Sequence, residues 1–171
     1  DLLEKIGADV IGVEVDAQGL NVEALTAALE QKPTALFLQP RAQNPTGVTM
    51  TAQRAQQIAD AIVASGHSES ITIIEDDHAG DIAVGELNSI GNYLPTRTVH
   101  IRSYSKSHGP DLRLAAVGGA GDVISAAANR RLLGPGWSSR ILQAVLLELL
   151  DDQATLESLS HARSEYSRRR H

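Results

Sequence analysis

Residues 71–76 read Ile-Thr-Ile-Ile-Glu-Asp, an apolar and β-branched run that ends in two carboxylates. Three other short runs have the same character: residues 8–15 (ADVIGVEV), 34–39 (TALFLQ) and 98–104 (TVHIRSY). Turn-forming residues flank each run, and within the runs the apolar residues are nearly continuous. This pattern predicts four strands covered on both faces, as in a parallel sheet.

Two helical patterns separate the first three of these strands. Asn21 and Thr51 are placed to cap the two helices, and Gly66 is placed to end the second. Apolar residues recur at helical spacing in both, at Val22, Leu25, Ala28 and Leu29 and then at Ala55, Ile58, Ala59, Ile62 and Val63. Strands alternating with helices of this length form right-handed β-α-β units. We therefore expect an α/β fold, a mainly parallel, doubly wound sheet with helices on both faces.

The second half of the chain continues with a strand and two helices. Residues 112–121 (LRLAAVGGAG) follow the previous strand too closely for a crossover helix, so this strand should run antiparallel or lie at an edge. A long helix should start near Trp137, and a basic helix should occupy residues 154–170. The buried stripe of the long helix is predicted at Leu142, Val145, Leu146, Leu149 and Leu150. Residues 1–10 read as the last turn of a helix, and we expect the chain to be a fragment of a longer protein.

Composition restricts the classes of function. The chain has 171 residues, about one domain, with a formal net charge of -6 and no cysteine. The acidic balance argues against nucleic-acid binding by the chain itself, and Arg168–Arg170 fit a solvated helix face or salt bridges to another domain. No apolar run approaches a membrane span, so no membrane partner is expected. Without cysteine the chain has no disulfides, which fits a cytoplasmic protein, and the histidines lack metal-ligand spacing.

Polar side chains follow the predicted strands where each one ends. Asn44 follows 34–39, Asp76 and His78 end or follow 71–76, and Lys106 follows 98–104. Two serines, Ser103 and Ser105, flank this lysine, and Arg113 lies across the next turn. Because ligands of open α/β sheets bind outside the carboxyl ends of the strands, we expect these groups to share one site. Asp77 should face the other way by strand alternation.

This set of groups suits pyridoxal 5'-phosphate (PLP). A lysine amine forms a Schiff base with an aldehyde. A carboxylate holds a pyridine nitrogen protonated, which strengthens the ring as an electron sink. Serine hydroxyls and an arginine bind a phosphate, and an asparagine amide donates to a phenolate oxygen. The alternatives without a cofactor are that Lys106 is an ordinary surface lysine and that Asp76 is a turn residue or a helix cap.

The same residues carry a resemblance to a known family. NPTG at 44–47, IIEDD at 73–77 and SYSKSHGPDLR at 103–113 resemble the core of fold-type I PLP enzymes of aminotransferase class I/II. The residue sequences of these motifs are most similar to those in the aminotransferase-like domain of MocR-type regulators in the GntR family. The resemblance covers most of the chain. It implies that residues 1–152 are the PLP-binding core, incomplete at its N-terminal side, and that 153–171 begin the helical connection to a small C-terminal domain.

The resemblance also implies a role for each residue. Lys106 would be the Schiff-base lysine, and Asp76 would pair with the pyridine nitrogen. The phosphate would be held by Ser103, Ser105 and Arg113, and Asn44 would contact the ring oxygen. His78 stands where the family usually has a tyrosine, and its imidazole would donate a hydrogen bond to the ring oxygen in place of the phenol. The family's upstream phosphate loop and its downstream substrate-carboxylate arginine lie outside this chain.

Two functions of different classes follow from the resemblance. In the first, a regulator senses PLP, an amine or an amino acid through Lys106, and DNA is bound only by an N-terminal domain outside this chain. In the second, the protein is a genuine aminotransferase acting on an amino acid. A third possibility is a core that binds nothing by itself. The family implies a homodimer for the intact protein.

Overall fold

The elements follow each other as predicted for most of the chain. A computed structural model describes residues 2–170. In chain order the helices and strands are α1 (Leu2–Lys5), β1 (Val15–Asp16), β2 (Gly19–Leu20), α2 (Val22–Leu29), β3 (Ala35–Leu38), α3 (Ala52–Ala64), β4 (Thr72–Asp77), β5 (Thr98–Ser103), β6 (Ala115–Gly119), α4 (Gly121–Arg131), α5 (Arg140–Asp151) and α6 (Gln153–Arg170). Short 3-10 turns lie between several of them.

The main sheet has four strands in the order β3-β4-β5-β6. The pairs β3–β4 and β4–β5 are parallel, whereas β6 pairs antiparallel with β5 at the edge. The α/β class with a mainly parallel sheet is thus confirmed, as is the antiparallel edge strand. Parallel strands end at the same edge of a sheet, so the residues that follow β3, β4 and β5 are neighbours in space.

The hydrophobic core lies between one face of this sheet and the helices α2 and α3. Burial alternates along β3, where Leu36 and Leu38 face the core while the side chain of Phe37 is 57% exposed on the opposite face. Ile58 of α3 and Ile73 of β4 are fully buried. Burying an aliphatic side chain of this size contributes about 1.5–3 kcal/mol, so this layer holds the sheet edge in place.

The predicted caps of α2 and α3 are both present. Asn21 accepts a hydrogen bond from the backbone N–H of Ala24 at 2.8 Å, and Thr51 accepts one from the N–H of Arg54 at 3.1 Å. Gly66, predicted to end α3, has φ of +71°, a conformation that glycine adopts without strain. These caps matter for the sheet because α3 contributes much of the core.

We expect Thr51→Ala to destabilise the protein by about 1 kcal/mol, because the first turn of α3 then loses a side-chain acceptor. Thr51→Ser keeps the hydroxyl and should lose only a few tenths of a kcal/mol. Urea unfolding of the three proteins measures the difference. Equal losses for alanine and serine would show that the methyl group of Thr51, rather than its cap, is what matters.

The strand predicted at residues 8–15 is wrong. Only Val15 and Asp16 form a strand, in a small antiparallel hairpin with β2, and residues 8–14 belong to no helix or strand. A strand needs a ladder of hydrogen bonds with a neighbouring strand, and among residues 2–170 no ladder includes residues 8–14, although the N–H of Asn21 donates to the carbonyl of Glu14 at 2.9 Å next to the hairpin. Its Val10 side chain is accordingly 62% exposed. The hairpin is held to α3 by Arg54, whose guanidinium contacts the Asp16 carboxylate at 2.9 Å.

The last third of the chain differs from expectation in two places. The helix α4 was not predicted, since it buries no side chain and so lacks a clear apolar stripe. The helix α5 begins at Arg140, capped by Ser139, rather than near Trp137, which is 78% exposed. Of the predicted stripe only Leu146 is buried, whereas the basic C-terminal helix is confirmed as α6. Among residues 2–170 no helix has the length and apolar character needed to cross a bilayer.

Candidate functional site

Asp76 and the Asn44 loop meet through a glutamine. Burial alternates along β4, which places Asp76 on the face opposite to Glu75 and Asp77. The amide Nε2 of Gln39 donates to Oδ2 of Asp76 at 3.2 Å, and its Oε1 accepts the backbone N–H of Asn44 at 2.8 Å. One neutral side chain therefore connects the residues predicted to contact the pyridine nitrogen and the ring oxygen.

Lys106 lies in the turn that follows β5. Its side chain is exposed, and among the described residues it has no hydrogen bond or ion pair. The turn is closed by the N–H of His108, which donates to the carbonyl of Tyr104 at 2.9 Å. An amine at a strand end without a carboxylate partner is free to react with a carbonyl group.

The two serines lie at the end of β5, and Arg113 lies on the connection that leads from there to β6. The Oγ of Ser103 accepts the N–H of Ser105 at 3.3 Å. Ser103 also pairs with Ala115, the first residue of β6, so Arg113 lies only two residues from the Ser103 pairing position. Arg113 is exposed and has a left-handed backbone with φ of 52°. Hydroxyls and a guanidinium at one turn can bind a phosphate.

His78 follows β4 directly beside this turn. Asp77 pairs with Arg102, so the next residues along, His78 and Ser103, reach the sheet edge at the same level. Close approach is permitted by Gly80, where a Cβ would lie 2.7 Å from the carbonyl oxygen of Ser103. The Nδ1 atom of His78 is buried and has no hydrogen-bond partner within the described part of the chain. A ring nitrogen left in this way can serve a ligand oxygen.

A groove of about 460 Å³ opens beside Lys106. Lys106, Ser107 and His108 form one wall, and α5 and α6 form the other. His108 contacts the Oγ of Ser107 through Nδ1 at 2.8 Å and packs edge-on against Tyr104. The lysine is thus reachable from solvent through a groove large enough for a small molecule.

A buried network of charges lies behind the site, on the core face of the sheet. Arg41 donates to both carboxylate oxygens of Asp77, at 2.8 and 2.7 Å. His100 contacts Glu75 through Nδ1 at 3.0 Å, and its Nε2 lies 3.8 Å from Asp77, close enough for charge attraction but too far for a hydrogen bond. Glu75 also accepts the hydroxyl of Ser89 at 2.7 Å.

The network sets the protonation of two of its members. Burial alone would raise the pKa of Asp77, but Arg41 and His100 outweigh it and hold that pKa well below its usual range. The Asp77 and Glu75 carboxylates raise the pKa of His100 to about 9, so its imidazole is protonated at neutral pH. With Arg41 and His100 positive and the two carboxylates negative, the network is neutral overall.

The direction of Asp77 was predicted from the sequence, whereas the roles of Gln39 and Arg41 were not. Both belong to the QPRAQN segment that follows β3, between the strand and the motif at 44–47. Their position within a few residues of a strand end was the available signal. The pairing of Arg41 with Asp77, 36 positions away, has no signature in a single sequence.

The predicted groups fit PLP by their chemistry. A free amine, a carboxylate contacted by a neutral amide, two hydroxyls with an arginine, and a histidine nitrogen without a partner all lie at one sheet edge. The asparagine that was expected to complete the set, Asn44, is exposed in the loop next to Asp76.

Comparison with known proteins agrees with this fold and chemistry. The chain is 33% identical to the vitamin B6 salvage pathway transcriptional repressor PtsJ of Salmonella typhimurium, over 99% of the chain and 39% of PtsJ. It is 32% identical to the aminotransferase swnA of Metarhizium robertsii, over 96% of the chain and 36% of swnA. The crystal structure of the aminotransferase Aro8 from Candida albicans superimposes with a TM-score of 0.82 at 23% identity, over 98% of the chain and 41% of Aro8.

The predicted resemblance to PLP-dependent aminotransferases and to related regulators is thereby confirmed. The chain spans about two fifths of the length of the curated relatives it matches. PLP, the cofactor predicted from the residues, is the cofactor of the family. The sequence model of the family described as aminotransferase class I and II matches residues 1–171, so the chain belongs to that family.

Proposed function

We propose that this chain is the PLP-binding, aminotransferase-like part of a transcription regulator that senses PLP, an amine or an amino acid. The observation that carries the proposal is the likeness to PtsJ, a transcriptional repressor, over nearly the whole chain. Residues 1–152 would form the cofactor-binding core, and residues 153–171 would begin the connection to a small domain. DNA would be bound by an N-terminal domain outside this chain, and the protein would act in the cytoplasm.

Lys106 and Asp76 would act on different parts of the cofactor. PLP, when bound, supplies an aldehyde that reacts with amines and a ring that withdraws electrons. The Nζ of Lys106 would hold the aldehyde carbon, and Asp76 would keep a proton on the ring nitrogen. An incoming amine ligand would then compete with Lys106 for the same carbon. Binding of the ligand would therefore release the side chain of Lys106, and the protein could respond to that release.

The remaining residues would orient the ligand. Ser103, Ser105 and Arg113 would hold the phosphate at the turn after β5. Asn44 and His78 would donate hydrogen bonds to the ring oxygen from the ends of the β3 and β4 segments. The buried, unpartnered Nδ1 of His78 supports its share in this role.

A homodimer is part of the proposal. Four apolar side chains in the α4–α5 connection and at the start of α5, Leu132, Leu133, Trp137 and Ile141, are each more than 70% exposed. Several exposed, large apolar side chains within one short segment are typical of a surface that is covered in the assembled protein.

The alternative is a working aminotransferase acting on an amino acid, and the likeness to swnA favours it. In that case Lys106 would be displaced by the substrate amine. Its Nζ would then carry the proton taken from the α-carbon of the substrate as a general acid and base.

Binding of the whole protein to the DNA upstream of its own gene separates the two functions. For a regulator we expect PLP to change the dissociation constant of this DNA about tenfold or more, as measured by fluorescence anisotropy. The same change should be absent in Lys106→Ala. Steady conversion of an amino acid and a keto acid, with DNA binding absent or indifferent to PLP, would instead favour the enzyme.

A further inference from the structure

The loop after β3 contacts two neighbouring carboxylates, which lie on opposite faces of β4. Gln39 contacts Asp76 on the face of the candidate site, and Arg41 contacts Asp77 on the core face. Asn44 belongs to the same loop, since its N–H donates to Gln39. The placement of this loop therefore decides where Asn44 and Gln39 stand relative to Asp76.

Of the two contacts, the Arg41–Asp77 pair is the stronger. Both N–H···O distances are short, and the side chains of Arg41 and Asp77 are 11% and 0% exposed. Two parallel charge-assisted bonds fix the direction of a guanidinium as well as its distance. Because removing either partner leaves a buried charge uncompensated, the loop cannot leave β4 without a large penalty.

The Arg41–Asp77 pair also leaves the negative charge of Asp76 unneutralised. The network of Arg41, Asp77, His100 and Glu75 is neutral, and it lies on the face opposite to Asp76. Asp76 itself is contacted by the neutral amide of Gln39. Arg41 thus holds the loop without neutralising the carboxylate that a positively charged ring would need.

We propose that Arg41 is a positioning residue for the cofactor site, which locks the 39–44 loop onto β4 through Asp77 and so sets Gln39 and Asn44 against Asp76. This role goes beyond the residues that would touch PLP, and its effect on cofactor binding rests on the proposed function. Its effect on the loop does not depend on any cofactor.

The order of the loop can be measured without cofactor, by hydrogen exchange of the whole protein. Besides the N–H of Asn44, the segment is closed by the N–H of Gln43 donating to Val48 at 2.9 Å and by that of Met50 donating to Pro40 at 2.8 Å. For Arg41→Met we expect exchange in residues 39–50 to rise about tenfold or more, with α2 and α3 changed much less. Arg41→Lys, which keeps the charge but not the two-pronged geometry, should give an intermediate increase.

A double variant separates positioning from stability. Arg41→Met with Asp77→Leu removes both charges and leaves His100 and Glu75 to balance each other. We expect its unfolding midpoint to recover relative to Arg41→Met alone, while loop exchange stays fast. In both Arg41→Met and the double variant, the dissociation constant for PLP should be about tenfold or more above that of wild type. Recovery of loop order together with stability would overturn the proposal.

Arg54→Met is the matched control. Arg54 is also a buried arginine paired with an aspartate, Asp16, but it holds the β1–β2 hairpin to α3, away from the candidate site. Arg54→Met should lower stability while exchange of residues 39–48 and the affinity for PLP stay unchanged. Met50 is left out of this comparison because it packs against Gly19 of the hairpin. If wild type retains no PLP, the proposed function fails while the exchange result still decides the role of Arg41. Unchanged exchange in both Arg41→Met and Arg41→Lys would overturn that role.

Discussion

Lys106→Ala is expected to abolish covalent retention of PLP by the whole protein. The exposed, unpaired amine of Lys106 is the group at the sheet edge that can bond to the cofactor aldehyde, and alanine has no nucleophile to replace it. The protein is incubated with PLP, reduced with borohydride and digested, and the labelled peptide is identified by mass spectrometry. Wild type should carry the label on the peptide that contains residue 106, and the variant should carry none there.

Lys5→Ala provides the control for nonspecific reaction. Lys5 is also exposed, but it lies at the end of α1 rather than after a strand of the main sheet. It should retain as much PLP as wild type. Equal labelling of wild type and Lys106→Ala, spread over several lysines, would mean that PLP reacts only with surface amines and that the assignment of Lys106 is wrong.

The local parts of this site could be predicted from the sequence because they follow from short-range rules. Alternation along β4 separates Asp76 from Asp77, and the caps at Asn21 and Thr51 are visible within a few residues. The ends of consecutive parallel strands then bring Asn44, Asp76 and Lys106 to one edge without any knowledge of distant contacts.

What the sequence could not provide depends on partners that lie far apart in the chain. Residues 8–14 have the composition of a strand but pair with no strand in the described structure, and composition carries no information about pairing. The bond between Arg41 and Asp77 likewise joins residues that no local pattern relates. His100 likewise owes its charge to two buried carboxylates, Glu75 and Asp77, which lie 23 or more positions away in the chain.

That charge on His100 should make the stability of the fold depend on pH above neutrality. The Asp77 and Glu75 carboxylates raise the pKa of His100 from an ordinary 6.5 to about 9 in the folded protein. A group with a raised pKa in the folded state stabilises it fully below the unfolded pKa and loses that contribution as pH rises through the folded pKa. We therefore expect the free energy of unfolding to fall between about pH 6.5 and 9, by at most about 3 kcal/mol for a shift of this size.

His100→Gln isolates this contribution from the titration of other groups. Glutamine can still donate a hydrogen bond to Glu75 but carries no proton that titrates in this range. Urea unfolding of both proteins from pH 6 to above pH 9 should show the largest loss for the variant at pH 6, with the difference narrowing as His100 of the wild type loses its proton. A difference that stays constant over this range would show that His100 contributes through packing alone. In that case His100 would be neutral over the measured range and would not balance the charges of Arg41, Asp77 and Glu75.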